Sequence, residues 1–337
     1  MLGIDATVVE EPFAGVQYAV YHQVNALAEK CEIKLYHQSD RFKYIPNAEH
    51  LEFSNKLTRI DWQQRKLRNE TGFDTLFSPS YTCPLDMPCP MTLQVHDIIA
   101  LKHPELCSLP NRVHFKVLLE KSIARADTII VPSQLVADDL SEQLNVPANK
   151  VHVLPLALDP VFTKQSSANH FKEHGPYILF VGNIEPKKNL PLLIDAYSKS
   201  TINKTHKLLI AGRYAWKSDS VKSLIKNYSG DGEIIRLDYV DRDVMPALYA
   251  NASLTVLPSL TEGFGFPIIE SLSQGTPVIA SDNCPKEDLK HLDYFSTDDE
   301  LIEQLDNFED ESFVQDESFY EFYSWQRWAK EFLRIEI

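Results

Sequence analysis

The chain reads as an α/β protein built from two doubly wound parallel sheets. Three observations predict this. Apolar, β-rich runs alternate with helical patterns almost from end to end. A length of 337 residues exceeds one typical domain and suits two. Several strands end on loops rich in glycine and polar residues that open at once into a helix, the unit of a parallel sheet.

Taken in order, the first set of strands is Leu2–Ala6, Ile33–His37, Thr75–Ser78, Thr92–Val95, Thr128–Val131 and His152–Leu154. Helical patterns at Gln17–Glu29, Val113–Arg125 and Leu135–Leu144 lie between them. The second set is Tyr177–Val181, Lys207–Ala211, Glu233–Leu237, Leu254–Leu257 and Pro277–Ala280, with helices at Leu190–Ser198 and Val244–Tyr249. The join is expected between Leu158 and Gly175, around the polar run Gln165–Asn169. The stretch Phe319–Leu333 is aromatic at helical spacing and is expected to pack against a neighbour rather than hold a ligand. The predicted division is residues 1–160, 161–315 and a closing helix in 316–337 that returns toward the first domain. With two such sheets, the natural ligand site is the cleft between them, beyond the carboxyl ends of the strands.

Composition narrows the class of function. With 44% hydrophobic and 24% charged residues the chain has the make-up of a soluble globular protein. No apolar run approaches the roughly 18–20 residues needed to span a bilayer, and Met1–Ala6 resembles a first strand more than a signal peptide. A cytoplasmic location is the expectation. The five cysteines have no zinc-site spacing and are expected to be free thiols. A net charge of −15 argues against nucleic acid as a partner. Its acidic excess falls largely between Glu287 and Glu321 and reads as solvated faces. No basic amphipathic helix suited to anionic lipid stands out.

The chemistry concentrates in Pro258-Ser-Leu-Thr-Glu-Gly-Phe-Gly-Phe-Pro-Ile-Ile-Glu270. Glu262 and Glu270 bracket a glycine-aromatic turn that opens into a short helix. Pro267 suits the first helical turn and Gly275 a left-handed helix end. The free N–H groups of the helix start favour an anion such as a phosphate. Two carboxylates would repel that anion, so they are expected to bind something neutral with hydroxyl groups, a ribose or a hexose. The combination points to a sugar carried on a diphosphate.

Further signals lie elsewhere. In Phe180-Val-Gly-Asn-Ile-Glu-Pro-Lys-Lys-Asn-Leu-Pro191, Asn189 reads as a helix N-cap, and Lys187 and Lys188 precede it as phosphate ligands or as solvated lysines. His96, in His96-Asp97 at a strand end, could meet a sugar hydroxyl or be satisfied by local backbone. Gly15, after the first strand, is a ligand contact or a plain turn glycine, without the full dinucleotide pattern. Arg213 could reach the cleft or pair with one of the many acids. Asp241-Arg-Asp243 reads as a helix cap, not a metal pair.

These residues resemble the retaining glycosyltransferases of family 4, which have the two-domain GT-B fold of facing Rossmann-like domains. The stretches that match are Thr92–Asp97 with His103-Pro104-Glu105, Val131-Pro-Ser133, Val181–Asn189, Ala211–Trp216, Leu257–Asp282 and Tyr323–Ala329. The wording of the two loops is similar to bacterial mannosyltransferases. The resemblance implies that Glu262 contacts hydroxyls of the transferred hexose and Glu270 the ribose. It implies that backbone N–H groups of Phe264, Gly265, Phe266 and Ile268, at the turn completed by Pro267, line the sugar and diphosphate. It also implies that Lys188 neutralises the β-phosphate, His96 sits by the sugar, Gly15 approaches the phosphate or acceptor, and Tyr239 and Val240 lie near the base. One departure stands out: Asn183, after Gly182, occupies the place where many relatives carry a phosphate-binding arginine, so Lys187 or Arg213 is the expected substitute.

The resemblance further implies transfer of a hexose, mannose first, from GDP-mannose or a UDP-hexose to a hydroxyl of a saccharide or lipid-linked saccharide in polysaccharide or lipopolysaccharide synthesis. Neither metal nor cofactor is expected. A lipid-linked acceptor would bring the chain to the inner face of a membrane as a peripheral protein. The rival readings are a nucleotide-sugar 2-epimerase of the same architecture and a non-catalytic nucleotide-sugar-binding protein.

Overall fold

The computed structural model describes residues 1–11, 13–107, 109–228 and 232–336, with the backbone alone for 109–116. The chain divides into two compact units, Met1–Ala157 with Phe322–Ile337, and Leu158–Glu321.

The first unit contains β1 (Leu2–Asp5), α1 (Gly15–Ala28), β2 (Ile33–His37), β3 (Ala48–His50), α2 (Lys56–Arg65), β4 (Thr75–Ser78), β5 (Met91–Gln94), α3 (Ile99–Lys102), α4 (Leu109–Arg125), β6 (Thr128–Val131), α5 (Gln134–Leu144) and β7 (Val151–Val153). Its strands form one parallel sheet in the order β3-β2-β1-β4-β5-β6-β7. β1 sits in the interior because all four of its residues are buried, the continuous burial that a strand covered on both faces requires. From β1 the chain winds outward to β2 and β3, then returns and winds the other way from β4. The switch point therefore lies between β1 and β4, where open α/β sheets place ligands.

The second unit repeats the scheme. It contains β8 (Tyr177–Val181), α6 (Leu190–Lys199), β9 (Lys207–Ala211), α7 (Asp219–Lys226), β10 (Ile234–Asp238), α8 (Met245–Ala250), β11 (Leu254–Leu257), α9 (Phe266–Ser273), β12 (Val278–Ser281), β13 (Leu292–Phe295) and α10 (Asp298–Asp306). The parallel order is β10-β9-β8-β11-β12-β13, so the switch point falls between β8 and β11. Ile178, Phe180, Leu193, Tyr197, Leu208, Ile210, Val256 and Ile279 build the core between the sheet and its helices.

Two strands escape the sequence pattern. β3 is a three-residue edge whose side chains are half-buried or exposed, so it carries no apolar signature. β13 is buried only at its ends, Leu292 and Phe295, and lies within the acidic stretch read as a solvated face. After α11 (Glu317–Phe322), the last helix, α12 (Trp325–Glu336), belongs to the first unit. Its aromatic stripe packs as expected. Trp328 and Phe332 are buried against Phe77 of β4, with ring centroids 6.1 and 4.6 Å away, and Trp325 stacks on His22 of α1 at 5.6 Å.

None of the cysteines is disulfide-bonded. Among the described residues, no helix is long and apolar enough to cross a membrane.

Candidate active site

The loops that follow β8 and β11 meet at the switch point of the second unit. After β8, Gly182 and Asn183 lead through Ile184, which bridges to Tyr214, into a turn at Pro186–Lys188. Asn189 joins this turn to α6 in a left-handed conformation, φ 47°, and its side chain makes no capping bond. Asn189 thus stands at the N-cap as expected, but it serves there as a left-handed joint, a conformation asparagine tolerates better than most, and not through a side-chain bond. Gly212, just beyond β9, approaches this loop so closely that a Cβ there would lie 1.9 Å from the Gly182 carbonyl oxygen. A side chain at position 212 would displace the loop that carries Lys188.

After β11 the chain turns through Pro258–Gly265. Gly265 precedes α9 at φ 83°, a left-handed value that favours glycine, and Pro267 occupies the first helical turn. Gly275 ends the helix at φ 80°. The Ile268 amide donates to the Gly265 carbonyl at 2.9 Å. That corrects one expectation, because the Ile268 N–H is engaged in closing the first turn and is not directed at a ligand. The two loops are tied by backbone, with Leu260 N–H donating to the Lys187 carbonyl at 2.8 Å.

Glu262 is 8% exposed, and its Oε1 accepts from the Lys188 ammonium and, at 2.7 Å, from the Ser259 hydroxyl. Burial alone would push its carboxyl pKa up. The charges of Lys188 and Lys187 and the two hydrogen bonds outweigh that, and hold it below the usual carboxylate value. Lys187 itself lies 3.6 Å from Glu185. So Lys188 is no uncommitted phosphate ligand. It already neutralises the carboxylate expected to meet the sugar.

Glu270, on α9, has a side chain only 4% exposed, and a cation matches it too. Its Oε1 accepts from Arg242 Nη2 at 2.6 Å and its Oε2 from the Tyr249 hydroxyl at 2.9 Å. Arg242 also donates through Nε to Asp159 at 2.9 Å and lies over the Phe162 ring at 4.7 Å. Burial would lower the Arg242 pKa, but Glu270 and Asp159 raise it further. The expectation that Asp241-Arg-Asp243 serves only as a cap is therefore incomplete. Asp241 precedes the turn Arg242–Val244 without a side-chain capping bond, and the arginine between the two aspartates faces the site.

Arg213 and Tyr239, after β9 and β10, stack with the guanidinium 4.3 Å from the ring centroid. Of the two readings for Arg213, the one that had it turned to an acid gives way to stacking on an aromatic face. Tyr239 is exposed and Val240 half-buried beside it. Phe264, just before α9, and Phe266, its first residue, meet edge to face at 5.2 Å. Asn183 is exposed at the other side of the same switch point.

The structure thus brings Lys188, Glu262 and Glu270 to the rim of one sheet, with Gly182, Asn183, Lys187, Arg213, Tyr239 and the Phe264–Ile268 turn on neighbouring loops. His96 and Gly15 belong to the first unit. His96 is buried, its Nε2 is 2.9 Å from the Pro79 carbonyl, and burial lowers its pKa so that the ring is neutral at pH 7. Gly15 is the first residue of α1, where Gln17 Oε1 accepts from the Ala14 N–H at 3.1 Å. Sequence reasoning did not find Arg242, Tyr249, Asp159 or Ser259 as site residues. Only Ser259 had a local signal, three residues before Glu262.

Comparison with known proteins agrees with this architecture. Residues 161–296 match the family described as glycosyl transferases group 1, and residues 13–162 match glycosyltransferase family 4. O-antigen chain mannosyltransferase B of Escherichia coli is 29% identical over 195 residues, 55% of this chain and 51% of that protein. O-antigen chain mannosyltransferase RfbU of Salmonella typhimurium is 29% identical over 191 residues, 57% of this chain and 52% of that protein. The match thus spans about half the length of each of these curated relatives. Sucrose-phosphate synthase from Thermosynechococcus elongatus superposes with a TM-score of 0.74 at 14% identity, covering 99% of this chain and 98% of that one, which establishes the GT-B fold. Two adjoining glycosyltransferase family models over residues 13–296 and a GT-B fold mark this chain as similar to the glycosyltransferases of family 4.

Proposed function

We propose that this chain transfers a hexose, with mannose as the first choice, from a nucleoside diphosphate sugar to a hydroxyl of a saccharide or lipid-linked saccharide, with retention of the anomeric configuration. The observation that carries this reading is the pair of buried glutamates at one switch point, each matched by a cation, Glu262 by Lys188 and Glu270 by Arg242. Charge-balanced carboxylates can accept hydrogen bonds from neutral hydroxyls without repelling a phosphate bound next to them. Glu262 is then the acceptor for hexose hydroxyls and Glu270 for the ribose. The Arg213–Tyr239 stack offers a flat, cationic surface for the base, and GDP is the first choice because the relatives at 29% identity are named mannosyltransferases.

In the proposed reaction the bond from the anomeric carbon to the phosphate oxygen breaks and its electron pair stays on the departing diphosphate. The acceptor oxygen bonds to the same face of an oxocarbenium-like carbon, and its proton passes to the departing phosphate oxygen. Lys188 and the N-terminus of α9 stabilise the growing charge. The charge comes from side chains and helix, so turnover is expected to be unaffected by a chelator.

The test is a panel of GDP- and UDP-hexoses in thermal unfolding, followed by transfer assays with NMR of the product. A ligand at 100 times its Kd raises stability by about 2.7 kcal/mol. We expect GDP-mannose to give the largest shift and an axial, α-linked product. Binding without turnover across varied acceptors would support the non-catalytic reading, and a donor epimerised at C2 would support the epimerase.

A further inference from the structure

Arg242 stands out once Glu270 is read as the ribose acceptor, and the inference rests on that reading. Its guanidinium spans two carboxylates that are far apart in sequence, Asp159 at the start of the second unit and Glu270 on α9. Nε and Nη2 point to different partners, 2.9 and 2.6 Å away, and the Phe162 ring under the guanidinium fixes its plane. Asp159 is itself held, because its Oδ1 accepts from the Val161 N–H at 3.1 Å. The consequence falls on Glu270. Among the described residues, each of its oxygens accepts one protein hydrogen bond, from Arg242 or from Tyr249, which leaves each one further lone pair. A carboxylate with one free lone pair on each oxygen is matched to a vicinal diol, whose two hydroxyls donate side by side.

We propose that Arg242 is a positioning residue that locks the Glu270 carboxylate for recognition of the 2′,3′-diol of the donor ribose, with Asp159 as its anchor. Without the fork, a nearly buried carboxylate keeps a single neutral donor, Tyr249, and can turn about its last torsion. The diol then loses its paired acceptor while the base and diphosphate contacts remain. Lysine at this position keeps the charge but presents one ammonium and cannot reproduce the planar two-partner geometry.

The experiment uses the full chain as wild type, Arg242→Lys and Arg242→Gln. Calorimetry measures binding of GDP and of 2′,3′-dideoxy-GDP to each, with thermal unfolding confirming that each protein is folded at the working temperature. UDP and its dideoxy analogue replace them if the donor panel selects uridine. In wild type, loss of the diol is expected to weaken binding about 30-fold, a cost of about 2 kcal/mol. In Arg242→Gln that ratio is expected to fall below about 3-fold, because GDP weakens while the dideoxy analogue is nearly unchanged. Arg242→Lys, which is expected to keep most of the stability, should fall between the two and restore part of the ratio. In turnover the variants are expected to raise the donor KM while leaving kcat within about 3-fold, the pattern of lost uniform binding.

A folded Arg242→Lys or Arg242→Gln protein that keeps the wild-type ratio overturns the proposal and leaves Arg242 a purely structural ion pair. A wild type that binds GDP but ignores the diol overturns the ribose reading of Glu270, and the proposal with it. Failure of wild type to bind any nucleoside diphosphate instead overturns the function proposed above. The three failures are therefore distinct.

Discussion

The two glutamates at the strand ends of the second sheet and two aspartates at the strand ends of the first, Asp5 and Asp97, are satisfied in different ways. In the second unit Glu262 and Glu270 each face a cation. In the first unit neutral donors serve Asp5 and the half-buried Asp97, although Asp139 of α5 pairs with Lys102 of α3 at 2.6 Å. Asp5 accepts from the Thr7 hydroxyl at 2.6 Å, the Thr7 N–H at 3.2 Å and Gln63 Nε2 at 2.7 Å, while Asp97 accepts from the Tyr81 hydroxyl at 2.8 Å and the Ile99 N–H at 3.1 Å. The surroundings continue the pattern, with Gln23 bonded to Gln94 at 2.8 Å and His96 neutral against a backbone carbonyl. Two sheets wound by the same rule therefore carry different electrostatics. The second rim matches both of its buried glutamates with cations, whereas Asp5 and Asp97 of the first rely on neutral hydrogen bonds. The winding fixes where a ligand sits, and the partners of the acids decide its kind.

This contrast can be broken by substitution. Lys188→Met strands Glu262 in a buried place, and the expected cost is about 3–5 kcal/mol in urea unfolding. Adding Glu262→Gln to that background is expected to recover at least about 1.5 kcal/mol without recovering turnover, since the stranded charge is gone but the sugar contact is not restored. A purely additive double variant would mean the pair is not coupled. In the first unit Asp5→Asn removes an acceptor from neutral donors and is expected to cost about 1–3 kcal/mol, the range for unsatisfied neutral groups. An Asp5→Asn loss as large as that of Lys188→Met would erase the difference between the rims.

The sequence made much of this legible. The central strands were plain because β1, β5, β8, β11 and β12 are buried nearly throughout and are short, largely apolar and rich in β-branched or large aliphatic residues. The two-glutamate loop was legible because glycine, proline and carboxylate stand at fixed local spacing. What stayed hidden was partnership across the chain. Lys188 and Glu262 each drew notice, but their pairing spans 74 positions. Arg242 reaches Glu270 across 28 positions and Asp159 across 83, so its local setting between two aspartates pointed instead to a cap. β3 and β13 were hidden because an edge strand needs little apolar surface.

The smallest expected effect is on pH dependence. Burial lowers the pKa of His37 and His96 in the first unit and of His206 in the second, so the folded chain holds these rings neutral. Their stabilisation is complete above the unfolded value of about 6.5 and is lost as pH falls through the lower folded values. Each contributes at most about 1.4 kcal/mol per pH unit in that window. Urea unfolding from pH 7.5 to 5 is expected to show the decline, and His96→Gln to reduce its slope. The lowered value of Glu262 acts in a separate window. Its contribution is complete above about pH 4.3 and lost as pH falls below that.

The most direct measurement is the transfer rate from GDP-mannose, or from whichever donor the panel selects, by wild type and by Glu262→Gln, with unfolding curves confirming that both are folded. Losing one group that meets the reacting sugar is expected to lower kcat about 10²–10³-fold. A folded Glu262→Gln protein that turns over within about 3-fold of wild type would contradict the role given to the Lys188–Glu262 pair.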